Sequence, residues 1–397
     1  MSKQYNSSKV YFPGLNALRF FAASTVVFRH VEQIKDFWHL PVYRNEFLNV
    51  ATGMAVTFFF VLSGFLITFL LFKEKEDYRS IDVKKFYMRR ILRVWPLYYF
   101  IVFLAFAVLP NLSAFFVPGL SNEIRTKLPY NLLFYMVLMP NVANMFQMLA
   151  VYANQLWSIG VEEQFYLFWP WLIKKRSQYS QLFYAIIIAF VLVRNGLAFG
   201  ASHLHNQQLA TVFGMLNGLV LMTRIDCMAI GGLVALYIYN KEQWFRKFFV
   251  NRTVEVASLA LIVVLCYTGI YVPYIHHDFY AVVFSIFIVN VSCNPRSLFC
   301  LEGKVWTSLG NISYGIYMYH LVAIGSVLAI FRALHISAFP FRINLVLHLS
   351  SLLLTIVIAQ LSYRYFETPF LSLKNRMTRV KSGSMTEEEL TPATSEG

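Results

Sequence analysis

The sequence predicts an all-α, polytopic integral membrane protein with about ten transmembrane helices and both termini in the cytoplasm. Composition is the first reason. Of the 397 residues, 58% are hydrophobic and only 14% charged, with a mean hydropathy of +0.54, whereas soluble domains carry about one-quarter charged residues. Second, the apolar residues gather into ten segments, near 15–33, 48–72, 94–116, 155–173, 182–200, 224–240, 253–272, 279–293, 312–333 and 343–366. Each can cross, or nearly cross, about 30 Å of hydrocarbon at about 1.5 Å rise per residue. Third, the basic residues are unevenly placed. With the N-terminus inside, the inner segments 1–14, 73–93, 174–181, 241–252, 294–311 and 367–397 hold 23 of the 34 Lys and Arg, while the outer connections and their flanks hold about six. That asymmetry follows the positive-inside rule. It also accounts for the net charge of +14 as short basic runs between spans, which excludes a nucleic-acid-binding reading.

Taken in order, the chain starts with "MSKQYNSSKVYFPG", which lacks the apolar stretch and cleavage site of a signal peptide, so the first apolar segment is expected to remain as a helix. That segment contains Arg19 and His30. At about 100° per residue, eleven positions bring the two within about 20° of one helical face, about 16 Å apart along it. Both can face one cavity at different depths, and an ionisable group inside a span is a functional candidate by default. "FYMRRILRVWPLYY" places Arg90 and Arg93 at i, i+3 at the cytoplasmic mouth of the third segment. Two guanidiniums on one face suit a phosphate or pyrophosphate; ordinary positive-inside anchoring is the competing reading. The region 117–154 is apolar but broken by Pro129, Pro140 and several Asn. It reads as re-entrant or outer-face, because a full span there would reverse everything after it.

In "LWSIGVEEQFYLFWP" two carboxylates, Glu162 and Glu163, interrupt an apolar span. Ser158, Glu162 and Tyr166 share a face at i, i+4, i+8, and Glu163 points about 100° away. A buried carboxylate calls for a cation; Arg19, His30 and Arg224 are the candidates. The stretch 209–222 is expected outside or half-inserted. In "TRIDCMAIGG", Arg224 and Asp226 form either a structural ion pair or a substrate contact, and Gly231 and Gly232 allow helices to approach closely. "HHD" at 276–278 reads as solvated loop rather than a metal site. In "LGNISYGIYMYH", Ser313, Tyr317 and His320 share a face, and Glu367 with Pro369 in "YRYFETPF" end the final span. The cysteines Cys227, Cys266, Cys293 and Cys300 form no CxxC pair, so neither a disulfide framework nor a metal site is expected. Residues 1–370 are expected to form one membrane domain and 371–397 a disordered cytoplasmic tail.

These segments together resemble the membrane acyltransferase-3 family. "GLNALRFFAASTVVFRH" is similar to its arginine–ten residues–histidine motif through Arg19 and His30. "FFFVLSGFLIT" resembles its second-span motif with Ser63 and Gly64, and "RRILRVWPLYY" its Arg-x-x-Arg motif. "WSIGVEEQFYLFWP" matches through Trp157, Ser158, Glu162, Gln164, Phe165 and Tyr166, and the closing motifs through Ser313, Tyr314, His320, Glu367 and Pro369. One departure is Asn16, where family members often carry aspartate three residues before the arginine. Some relatives append a soluble SGNH-type esterase domain; none is expected here, so the membrane part would complete the transfer.

The resemblance implies an acyl-CoA donor, usually acetyl-CoA, used as a substrate with no resident cofactor. It implies as acceptor a sugar hydroxyl of an envelope or exported glycan, lipid-linked forms included, and a bacterial plasma (inner) membrane. On this reading His30 is the general base, its ordinary pKa lying near working pH. Arg19 positions the donor arm, Glu162 balances a cation in the cavity, and Arg90 with Arg93 hold the donor phosphates. Ser63, Trp157, Ser158, Tyr166, Arg224, Asp226, Tyr314 and His320 contact substrate or support the site. A transporter or flippase of a lipid-linked sugar or acyl group, using the same charges as a path, is the alternative. The sequence leaves the oligomeric state open.

Overall fold

The computed structural model describes residues 10–117, 121–122, 126–146, 150–299, 301–336 and 338–380, and among them there is no β-sheet. The main helices are α1 (Leu15–Phe37), α2 (Glu46–Tyr78), α3 (Val83–Phe103), the short α4 (Leu128–Met136) and α5 (Pro140–Met145), α6 (Leu156–Lys175), α7 (Tyr179–His203), α8 (Gln207–Thr223) and α9 (Ile225–Tyr239). They continue as α10 (Gln243–Phe249), α11 (Arg252–Thr268), α12 (His276–Cys293), α13 (Lys304–Asn311), α14 (Ser313–Ala333), α15 (Phe341–Ser362) and α16 (Thr368–Arg376). Seven stretches are long and apolar enough to cross a membrane, and the α10–α11 pair, bent by 61°, makes an eighth if counted as one span. The chain is thus a multi-pass, all-helical membrane protein. Neither α1 nor α6 belongs to those eight. At 23 and 20 residues both are long enough, but both carry the polar groups described below.

Side chains pack into two apolar clusters. One joins most of α2, the second half of α6, α9 and α12. The other joins α1, α3, the first turn of α6, α14 and part of α15. Small residues set the closest crossings. A Cβ at Gly64 would lie 1.9 Å from the Met228 carbonyl oxygen, and one at Gly231 would lie 2.1 Å from that of Val61, so α2 and α9 touch backbone to backbone. At the start of α1, Gly14 adopts φ +72°, and its N–H donates to Glu302 Oε1 at 2.5 Å, beside a hydrogen bond from the Tyr11 hydroxyl to the same carboxylate.

Several local expectations change. The stretch 209–222 does not lie apart from the bundle. It is most of α8, which runs with α9 as one 33-residue apolar span, Gln207–Tyr239, interrupted only by Arg224 in the left-handed conformation (φ 40°). The break at Arg224 separates two helices of 17 and 15 residues, so 209–222 taken alone is too short to read as a full span. Among the described residues, 117–154 holds no span-length helix. Instead α4 and α5 fold back against α6, with Asn141 and Gln164 exchanging hydrogen bonds of 3.3 and 2.9 Å and Pro140 seated on Gly160. "HHD" is not a solvated loop: it opens α12, and Asp278 is buried. Glu367 and Pro369 do not end the last helix either. A π-turn at Tyr363–Glu367 leads into α16, where Pro369 sits in the first turn and costs no hydrogen bond. Helix α16 runs through Arg376, six residues beyond the expected domain boundary; residues 381–397 and Cys300 lie outside the described residues.

Candidate active site

Helix α1 delivers Arg19 and His30 to different neighbours, Asn16 for the first and His320 for the second. His30 meets α14. Its Nδ1 lies 2.8 Å from His320 Nε2, and the rings stack with centroids 4.8 Å apart. His320 is fully buried, and its Nδ1 lies 2.7 Å from the Tyr317 carbonyl oxygen. A carbonyl only accepts, so His320 Nδ1 carries the proton and Nε2 accepts from the Nδ1–H of His30. Neutral His30 then carries its lone pair on Nε2.

Below this pair, the Tyr317 ring lies 5.7 Å from that of His320, and its hydroxyl lies 2.7 Å from Ser158 Oγ. Both hydroxyls also reach the Gln155 carbonyl, at 3.3 and 3.2 Å. Ser313, expected on the same face, turns back to cap α13 through the Gly310 carbonyl at 2.7 Å.

Four residues farther along α6, Glu162 accepts from Ser63 Oγ and from the Tyr166 hydroxyl, both at 3.0 Å. Glu163 points elsewhere and accepts from Trp95 Nε1 at 2.9 Å, leaving its other oxygen buried and unbonded. Glu367 accepts from Ser362 at 3.0 Å. Arg19 lies within electrostatic reach of Arg93, Tyr166, Glu162 and Arg90. Its hydrogen-bond partner is Asn16 Oδ1, at 3.5 Å, so asparagine supplies a neutral oxygen where a carboxylate was expected. Arg90 packs over the rings of Tyr166 and Phe86, at 5.5 and 5.8 Å, with its Nε buried and unpaired. The Tyr314 hydroxyl donates to the Val94 carbonyl at 2.9 Å, holding α14 to the turn that carries Arg93.

Every carboxylate here is thus bound by neutral donors, and the arginines are left without a direct anionic partner among the described residues. Buried cations left in that state carry a desolvation cost that an incoming anion offsets. None of the expected cations forms an ion pair with Glu162 among the described residues; Arg90 and Arg19 lie within electrostatic reach of it.

Arg224 and Asp226 separate. Asp226 pairs at 2.7 Å with Arg194, which also bonds Asp278 at 2.5 Å and the Tyr274 carbonyl at 2.9 Å. Arg224, turned inward by its left-handed backbone, donates to Thr57 Oγ1 at 3.0 Å and lies 5.8 Å above the Trp157 ring. Asp226 is therefore a structural residue, and Arg194 with Asp278 are its unforeseen partners. The lone arginine in "FVLVRNGLAF" was the available signal for Arg194. Nothing in the chain before folding points to Asp278 as its mate.

A family model described as an acyltransferase domain matches residues 12–364. Among curated proteins, O-acetyltransferase OatA of Staphylococcus aureus strain NCTC 8325 / PS 47 is 27% identical over 390 residues, covering 93% of this chain and 58% of its own length. The OatA of strain COL gives the same values. SACOL0978, provisionally named an O-acetyltransferase of that strain, is 25% identical over 377 residues, covering 91% of this chain and 57% of its own. The chain therefore spans a little over half the length of the curated relatives it matches. No solved structure matches.

Proposed function

The chain belongs to the membrane acyltransferase-3 family, and from that premise we propose that it is a membrane O-acyltransferase. It moves an acyl group, most simply acetyl from acetyl-CoA, to a hydroxyl of an envelope or exported glycan, in a bacterial plasma membrane. The observation that carries this reading is the His30–His320 pair. The Tyr317 carbonyl sets the tautomer of His320, His320 sets that of His30, and His30 Nε2 is left as a base. Its lone pair takes the proton of the acceptor hydroxyl as the oxygen attacks the thioester carbonyl. The tetrahedral adduct collapses with cleavage of the C–S bond, and the proton passes from Nε2 to the departing CoA thiolate. His30 returns to its starting tautomer and no acyl-enzyme is needed. General base catalysis of this kind contributes about 10²–10⁴-fold.

The donor half of the reading rests on charge. The phosphates of CoA meet the unpaired guanidiniums of Arg90 and Arg93. Arg19, about 16 Å along α1 from His30, lies between them and the base, where it guides the extended pantetheine arm. Glu162, held by Ser63 and Tyr166, fixes the local charge balance without neutralising Arg19. Helix α4, with Tyr130 and Leu133 more than half exposed, lies on the acceptor side.

Membranes containing the protein, supplied with labelled acetyl-CoA, are expected to label the glycan. His30→Ala and Arg19→Ala should abolish most of the transfer at matched protein levels; near-normal transfer by either sinks the assignment. Protein-dependent movement of unmodified glycan without labelling would support a transporter instead.

A further inference from the structure

Helix α16 and the four residues after it are fastened across the mouth that carries Arg90 and Arg93. Arg89 donates to the Met377 carbonyl at 3.4 Å, and Tyr78 donates to that of Arg379 at 3.2 Å. Arg379 pairs with Asp82 at 3.0 Å and lies 5.1 Å above the Tyr78 ring. Arg89 pairs with Glu74 at 3.1 Å, and Val380 is buried. This latch is self-compensating: Glu74 and Asp82 face Arg89 and Arg379.

Lys374 is left over. It extends from α16 within electrostatic reach of Arg93, Arg90 and Arg89, and while its carbonyl accepts from Thr378 at 3.1 Å, its ammonium has no hydrogen-bond or ion-pair partner among the described residues. An ammonium held by the fold toward two unpaired guanidiniums is disfavoured by Coulomb repulsion unless an anion lies between them. None of the nearby carboxylates bonds Lys374: Glu163 accepts from Trp95, Glu367 from Ser362, and Glu74 pairs with Arg89. We infer that α16 forms a wall of the donor site and that Lys374 is a third phosphate-binding cation beside Arg90 and Arg93. The ligand is a nucleotide-bearing thioester. Guanidiniums suit a pyrophosphate through paired N–H groups, and a lysine serves a further phosphate as a point charge. This inference rests on the CoA-donor reading above.

The test is steady-state transfer in membranes with acetyl-CoA, with its 3′-dephospho form and with acetyl-pantetheine, for wild type, Lys374→Gln, Lys374→Arg and the double variant Arg90→Ala/Arg93→Ala. Lys374→Gln should raise KM for acetyl-CoA about tenfold, the value of one charge-assisted contact, with kcat within about twofold. Lys374→Arg should restore most of the affinity, and acetyl-pantetheine should show no difference between Lys374→Gln and wild type. An unchanged KM in Lys374→Gln, with a raised KM in the arginine double variant, overturns the role of Lys374 and leaves the donor reading standing. An unchanged KM in both overturns the donor reading itself. If Lys374→Gln accumulates poorly while Lys374→Arg has wild-type level but a KM raised as much as the arginine double variant, charge at 374 is not what binds, and the inference also fails.

Discussion

Replacing His320 separates a tautomer-setting role from mere packing. In the fold, His320 Nε2 accepts from His30 Nδ1–H at 2.8 Å, and its own Nδ1–H is fixed on the Tyr317 carbonyl at 2.7 Å. His320→Ala removes the acceptor and leaves the His30 Nδ1–H in a buried site without this partner. Leaving a buried donor unsatisfied costs about 1–3 kcal/mol. His30 escapes that cost by rotating, or by moving the proton to Nε2, and either move removes the base. The same free energy therefore appears as a loss of productive ground state, about 5- to 150-fold in kcat at about 1.4 kcal/mol per decade. His320→Gln can present a side-chain oxygen to the same N–H, so it should recover most of that loss, whereas His30→Gln cannot act as a base. The assay is glycan acetylation at saturating acetyl-CoA, with protein quantified in the same membranes. Wild-type kcat in His320→Ala refutes the tautomer argument. So does a His320→Gln variant as inactive as His30→Ala.

Three further outcomes follow from the same geometry. Asn16→Asp, which places a carboxylate where Arg19 now takes a neutral oxygen at 3.5 Å, should preserve turnover but weaken donor affinity several-fold; a tightened KM would mean that Arg19 is not part of an anion path. Gly64→Ala pushes a methyl group to 1.9 Å from the Met228 carbonyl oxygen, where two backbones must separate, so the destabilisation should exceed the about 1–3 kcal/mol usual for overpacking. A wild-type melting temperature in detergent would contradict that close crossing. Arg194→Ala leaves Asp226 and Asp278 buried without their cation, a change expected to cost about 3–5 kcal/mol and to lower protein level. Arg194→Ala combined with Asp226→Asn and Asp278→Asn should recover part of it, and no recovery would show that the charges are not the cause.

What the sequence made legible was local. The phase of Arg19 and His30 on α1, the shared face of Glu162 and Tyr166, and the small residues Gly64 and Gly231 are all properties of one helix, and periodicity carries them. The partners are not local. Whether Ser158 bonds Glu162's neighbours or Tyr317, 159 positions away, depends on how α6 and α14 rotate about their axes, and side-chain spacing within either helix is silent on that. Arg224 and Asp226 illustrate the trap. Two opposite charges two residues apart invite pairing, yet on a helix such positions face apart, and the left-handed residue at 224 turns them farther. The pairing of Arg194 with Asp278 was hidden for a related reason: "HHD" sits at a junction between two spans and has the composition of a loop, while its last residue is pulled inward by a cation 84 positions earlier.

The division of the interior into two apolar clusters has a mechanical consequence. The polar groups from His30 through Tyr317 and Ser158 to Glu162 run along the boundary between the halves, with α6 contributing its first turn to one and its remainder to the other. The seam is not wholly polar, since Ala22 and Phe59 pack against both clusters and the Phe59 ring meets that of Tyr317 at 5.9 Å. The two halves are therefore joined by hydrogen bonds that other polar groups can replace and by apolar contacts that they cannot.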